Sequence, residues 1–195
     1  MNHIECLTER LPELSAVAQE IEKAVEAICL MHRDGGKLLL CGNGGSAADC
    51  EHISGELLKG FLLRRTPDGA VPEALQRGVA AIPLPSLSAS LSAFANDVEP
   101  SLVYAQLVYA LGRSGDVWMG LSTSGNSRNV VEAARVARLL GLVTVGLTGE
   151  SGGKLGELCD VAVRVPATET YRVQEYHLPV YHAICAEVEA RLFGN

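Results

Sequence analysis

The sequence predicts a doubly wound α/β domain, and three observations carry the prediction. The chain holds five short apolar runs: KLLLCG (37–42), VAAIPL (79–84), DVWMGLS (116–122), LVTVGLT (142–148) and DVAVRVP (160–166). None alternates polar with apolar residues, so each suits a strand of a parallel sheet covered on both faces. Helical spacing follows each run, which is the pattern of strand–helix units.

Taken in order, residues 2–33 put Ile4, Leu7, Leu11, Leu14, Val17, Ile21, Val25 and Ile28 at helical spacing. Pro12 bends or starts a segment within this stretch, and Gly35-Gly36 ends it. After the first strand a helix fits from about Ser46 to Leu63. Residues 64–78 (RRTPDGAVPEALQRG) combine charge, Pro and Gly and read as a surface excursion. Helical stretches from about Ser86 to Arg113 follow the second strand. Shorter helices fit 127–140 and 152–158, and a last one fits 169–193. This divides the chain into an N-terminal helical segment, 1–35, whose apolar stripe suits subunit packing, and an α/β domain, 36–195.

Composition narrows the class. At 195 residues, 48% apolar and with a mean hydropathy of +0.18, the chain supports one well-buried domain. Its net charge of −7 disfavours nucleic acid as a ligand. The six cysteines are scattered with no CxxC pair, the N-terminus reads as no signal peptide, and no apolar stretch reaches the ~20 residues that span a bilayer. The expectation is a reduced, cytoplasmic protein without membrane contact.

Two strand ends are unusual: CGNGGSAAD (41–49) and LSTSGNSRN (121–129). Each passes from a strand through Gly and small polar residues into a helix start. Gly lets a ligand approach the backbone, and the free N–H groups of the helix favour an anion. Ser122, Thr123, Ser124 and Ser127 add neutral donors, which suits the phosphate of a small sugar. One such loop alone is as readily an ordinary N-cap. GNGGSA also fits a dinucleotide pattern, but the next strand ends in Pro83-Leu84 rather than an acidic residue. Two such loops at the same end of one sheet point to a cleft.

His52 and Glu56 stand four residues apart, on one face of the helix beyond the first loop. A lone pair of this kind is usually a solvated contact. The last helix places Gln174, His177 and His182 in apolar surroundings, with Gln174 and His182 about 80° apart around the axis. His177 lies off that face and reads as a packing or subunit-contact residue. Buried polar groups need partners. His52, Glu56, Gln174 and His182 would satisfy one another around a divalent cation or substrate hydroxyls.

GNGGSAAD, AFAND, STSGNS, GLTGESGGKL and the terminal VQE…H helix strongly resemble the sugar isomerase (SIS) domain, specifically the phosphoheptose isomerase family, over roughly residues 36–193. The resemblance implies a flavodoxin-like five-stranded sheet and an aldose–ketose isomerase acting on sedoheptulose 7-phosphate. It implies a homotetramer with sites between subunits, and zinc held by His52, Glu56, Gln174 and His182. Substrate contacts then fall on Asn43, Gly44, Gly45, Ser46, Asn96, Asp97, Ser122, Thr123, Ser124 and Ser127, with Glu56 and Gln174 shared. Isomerisation moves one proton between C1 and C2 through a cis-enediol and another between the oxygens, so it needs two acid/base groups. Glu56 is the expected carbon base and His182 the expected oxygen proton shuttle.

Pro85 and Leu87 after the second strand, the length of the 64–78 excursion, and Tyr171 depart from the family's pattern and touch the identity of the sugar more than the reaction type. Arg64 and Arg65 read as solvated helix-end arginines. The competing readings are a non-catalytic SIS adaptor, a sugar-phosphate sensor, and an isomerase of another sugar phosphate. An adaptor has no need of an intact Glu56–His182 pair, and a sensor would want a DNA-binding domain that the residues before the first strand cannot hold.

Overall fold

The computed structural model describes residues 2–194. Five strands, β1 (Leu38–Cys41), β2 (Ala81–Pro83), β3 (Val117–Ser122), β4 (Val143–Thr148) and β5 (Val161–Arg164), form one sheet in the order β2-β1-β3-β4-β5. Every neighbouring pair is parallel. The expected doubly wound sheet is therefore present.

The strands lack alternation because both faces are covered. Leu38 and Leu40 of β1 enter one buried cluster, while Leu39 and Cys41 enter the other. On the first face lie α1 (His3–Arg10), α2 (Ala18–Arg33), α3 (Gly45–Leu58) and α8 (Thr170–Phe193); on the second lie α5 (Val103–Leu111) and α6 (Arg128–Leu139). Between them in sequence come α4 (Ser88–Asp97) and the short α7 (Gly153–Leu158).

Strand order positions the site. From β1 the chain steps outward to β2, then returns across β1 to β3. The loops after β1 and β3 are thus neighbours, and their helices diverge: α3 packs Cys50, Ile53 and Leu57 on the first face, α6 packs Val130, Ala133 and Ala137 on the second. Such a divergence opens a crevice at the carboxyl ends of the strands, where ligands of doubly wound sheets bind.

Several expectations change in detail. Residues 2–33 are two helices joined by a 3-10 segment, Pro12–Val17, with Pro12 at its start. Their apolar stripe is spent inside the chain: Leu14, Ile21, Val25 and Ile28 are fully buried in the cluster that also holds Val180 and Ile184 of α8. α3 ends at Leu58 rather than Leu63. α8 continues through Pro179, although the ring removes one hydrogen bond of its ladder. α4 has no buried residue, and Leu87, Val98 and Leu102 around it are exposed. Tyr171 is exposed as well.

Candidate active site

The first loop runs Gly42–Gly45 and opens α3 with Gly44 at the cap, φ +56°. Tyr104 of α5 donates its hydroxyl to the Gly42 carbonyl at 2.6 Å and holds the loop from beneath. Asn43 exchanges two hydrogen bonds of 2.9 Å with Asn129 on α6, so the two loops are tied across the crevice. Ser46 is buried and folds under Gly42, its carbonyl 2.7 Å from where a Cβ on Gly42 would stand.

The second loop, Ser122–Ser127, closes on itself. Ser122 Oγ lies 3.0 Å from Ser127 Oγ, and Ser124 Oγ accepts from the Asn126 N–H. The loop after β4 braces it: Leu155 N–H donates to the Gly125 carbonyl, and Gly149 N–H to that of Thr123. Gly125, at φ +66°, leaves no room for a Cβ against the Gly152 main chain. Small residues are needed here because three backbones meet. Thr123 and Ser124 remain accessible at the head of α6, whose first N–H groups and dipole favour an anion.

α3 and α8 lie side by side on the first face. Near the start of α3, the Gln174 amide nitrogen is 2.6 Å from the position of a Cβ on Gly45, so glycine is what admits it. About two turns further along, His52 Nε2 lies 3.2 Å from Glu56 Oε1 and 3.4 Å from His182 Nε2. The structure therefore brings together His52, Glu56 and His182. Gln174 stands apart over Gly45 and makes no hydrogen bond to the three. Glu56 is largely withdrawn from water, with 16% of its side chain exposed, and Lys59 approaches its other oxygen at 3.4 Å. Burial lowers the pKa of His182, and the neighbouring His52 lowers it further.

Two residues unremarked in the sequence complete this cluster. The buried Tyr181 donates its hydroxyl to Asp49 Oδ1 at 3.2 Å and lies 3.0 Å from His52 Nδ1. With that donation made, the Tyr181 oxygen accepts from Nδ1–H, which leaves the Nε2 lone pair of a neutral His52 pointing at Glu56 and His182. Burial raises the pKa of Asp49, against the opposing effect of the Tyr181 hydrogen bond. The local signal was present: Asp49 is one helical turn before His52, and Tyr181 adjoins His182.

A carboxylate oxygen and an imidazole nitrogen, each within 3.4 Å of His52 Nε2, call for a proton or a cation between them and it. A tetrahedral ion with donors at about 2.0–2.1 Å spaces them about 3.3–3.4 Å apart, close to the 3.2 and 3.4 Å found. The hydroxyl on His52 Nδ1 is the second partner that metal-ligating imidazoles take. Among the described residues no three or more His, Cys, Asp or Glu are already gathered closely enough to hold a metal ion. The three side chains form a row with His52 in the middle, and the Glu56–His182 edge is open.

Asn96 and Asp97 sit at the exposed end of α4, hydrogen-bonded to each other at 2.8 Å and to neither loop. Arg65, expected in solvent, is 1% exposed and ion-paired with Glu189 at 2.8 Å. His177 is fully buried, as a packing residue would be, with no hydrogen-bond partner on either ring nitrogen.

The comparisons agree with the fold. The SIS domain model matches residues 3–149, and the chain belongs to the SIS-domain family. A phosphoheptose isomerase of Aneurinibacillus thermoaerophilus is 38% identical over 93% of this chain and 84% of its own length. Solved phosphoheptose isomerases are similar throughout: that of Francisella tularensis has a TM-score of 0.82 at 30% identity, covering 92% of this chain and 90% of its own. That of Neisseria gonorrhoeae has a TM-score of 0.75 at 34% identity, covering 95% and 98%. Within the SIS domains, this protein is a member of the phosphoheptose isomerase family.

Proposed function

We propose that the protein is an aldose–ketose isomerase that converts sedoheptulose 7-phosphate to D-glycero-D-manno-heptose 7-phosphate through a cis-enediol. The observation that supports it best is the meeting of Glu56 on α3 with His182 on α8 through His52, beside a hydroxyl-lined crevice. The phosphate rests on Thr123, Ser124 and the head of α6, with Ser122 and Ser127 shaping the turn. Asn43, Gly44, Gly45 and Gln174 meet the sugar along the start of α3. Glu56 takes the proton from carbon and returns it to the neighbouring carbon. His182 carries the proton between the oxygens.

His52, Glu56 and His182 are the residues that would hold a divalent cation such as zinc, with Gln174 the expected fourth ligand if it swings from Gly45. Bound there, the ion supplies Lewis-acid stabilisation of the enediolate. The Asp49–Tyr181 pair orients His52 for either role.

The working form is a homotetramer with sites between subunits. Supporting this, α4 carries Asn96 and Asp97 away from its own loops and leaves Val98 and Leu102 uncovered. A neighbouring protomer gives both the helix and its two polar residues a destination. No helix among the described residues is long and apolar enough to cross a membrane, and all six cysteines are free. Both fit a cytoplasmic enzyme that supplies heptose for lipopolysaccharide or other surface sugars.

Assay of Glu56→Gln with sedoheptulose 7-phosphate tests the reading. Isomerisation is lost while the sugar phosphate still binds. Wild-type turnover in this variant removes Glu56 as the base.

A further inference from the structure

Arg65 and Glu189 form an ion pair whose side chains are 0% and 1% exposed. Withdrawing two charges from water costs more than their attraction often returns, so the pair is informative for what else it holds. Glu189 accepts three main-chain N–H groups, from Phe61 at 2.7 Å and from Leu62 and Leu63 at 2.6 and 3.0 Å. Those bonds turn the chain away from the helix that its apolar spacing would extend. Arg65 spends its other N–H groups on the last turn of α3, reaching the Leu57 carbonyl at 2.6 Å and the Glu56 carbonyl at 3.1 Å. Its guanidinium lies over the Phe193 ring, 4.6 Å from the centroid.

The two helices so joined are the two that carry the candidate acid/base groups. Arg65 grips the main chain of Glu56 itself. Glu189 stands two turns beyond His182 on α8, and Phe61, anchored on Glu189, brings its ring to 5.6 Å from the His182 ring. A guanidinium fork on two specified carbonyls of α3, itself paired with a carboxylate of α8, specifies one register between the helices.

We propose that the Arg65–Glu189 pair is a positioning device that fixes α3 against α8 and thereby holds Glu56, His52 and His182 at their observed separations. The proposal rests on the isomerase reading for its effect on rate, but not for its effect on geometry.

The test uses the full-length protein as purified. Arg65→Met/Glu189→Gln removes both charges together and leaves an acceptor for the 61–63 N–H groups. In the folded double variant, kcat falls by about 10- to 100-fold, the scale that a misplacement of about 1 Å carries. KM stays within about 2-fold because the phosphate loops are untouched. The ring 15N resonances of His52 and His182 move. A pair that serves stability alone lowers the melting temperature and leaves kcat and those resonances where they were, which overturns the proposal. Should the double variant not fold, Arg65→Lys is read in the same way, since it keeps the charge and loses the fork. If the wild-type protein does not turn over sedoheptulose 7-phosphate, the isomerase reading fails separately. The histidine resonances then decide the positioning role: shifted supports it, unmoved overturns it.

Discussion

His52 Nε2 stands 3.4 Å from His182 Nε2, although 130 residues separate them in sequence. Their rings meet edge to face with centroids 4.9 Å apart. Two imidazoles in that attitude have one lone pair each for a shared proton or ion, and the Glu56 carboxylate beside His52 favours positive charge between them. His182→Asn removes one side of this contact and the proposed oxygen proton shuttle. We expect kcat for sedoheptulose 7-phosphate to fall by about 10²- to 10⁴-fold, with binding of the sugar phosphate largely kept. Steady-state kinetics paired with calorimetric binding checks both halves.

Divalent metal at this point is expected to track His52. Elemental analysis of the purified protein should find zinc or a similar ion, and His52→Ala should reduce its content. Chelator treatment should lower activity, and added zinc should restore it. Protein free of metal yet fully active would leave the acid/base pair to work alone.

Gly45→Ala places a Cβ 2.6 Å from the Gln174 amide nitrogen. The amide must leave or the loop must shift. Either change acts on substrate binding before chemistry, so KM should rise by about 10-fold, equivalent to about 1.4 kcal/mol, with a smaller change in kcat. Initial-rate measurements across substrate concentration separate the two.

His177 gives a prediction about acid stability. Burial pushes its imidazole pKa from 6.5 down to about 4. The folded state therefore refuses a proton that the unfolded state accepts between those values. Stability is full above about pH 6.5 and declines as pH falls towards 4, by about 3 kcal/mol in all. His177→Leu should flatten that decline in urea-unfolding curves recorded from pH 7 to pH 4. An unchanged slope would assign the acid sensitivity to other groups.

The sheet was legible because strands buried on both faces leave unbroken apolar runs, and β3 and β4 match theirs almost residue for residue. The two glycine loops were legible because close backbone contact demands glycine. What stayed hidden depended on partners distant in sequence. Helix spacing continues through GFLL beyond Leu58, and only Glu189, 126 to 128 residues away, captures the N–H groups that stop the helix. The same carboxylate withdraws Arg65 from solvent. Tyr181 reads as one more apolar position on α8 until Asp49 and His52 are seen beside its hydroxyl. Asn129 looks like an ordinary helix-start residue until Asn43 faces it across the crevice.

The exposed helix α4 has a practical consequence. It packs on its own chain through the partly buried Leu91, Phe94 and Ala95 and has no fully buried residue. If the proposed tetramer covers this helix, dilution should act on the enzyme as an inhibitor does, with specific activity dropping as the protein is diluted and returning when it is concentrated again.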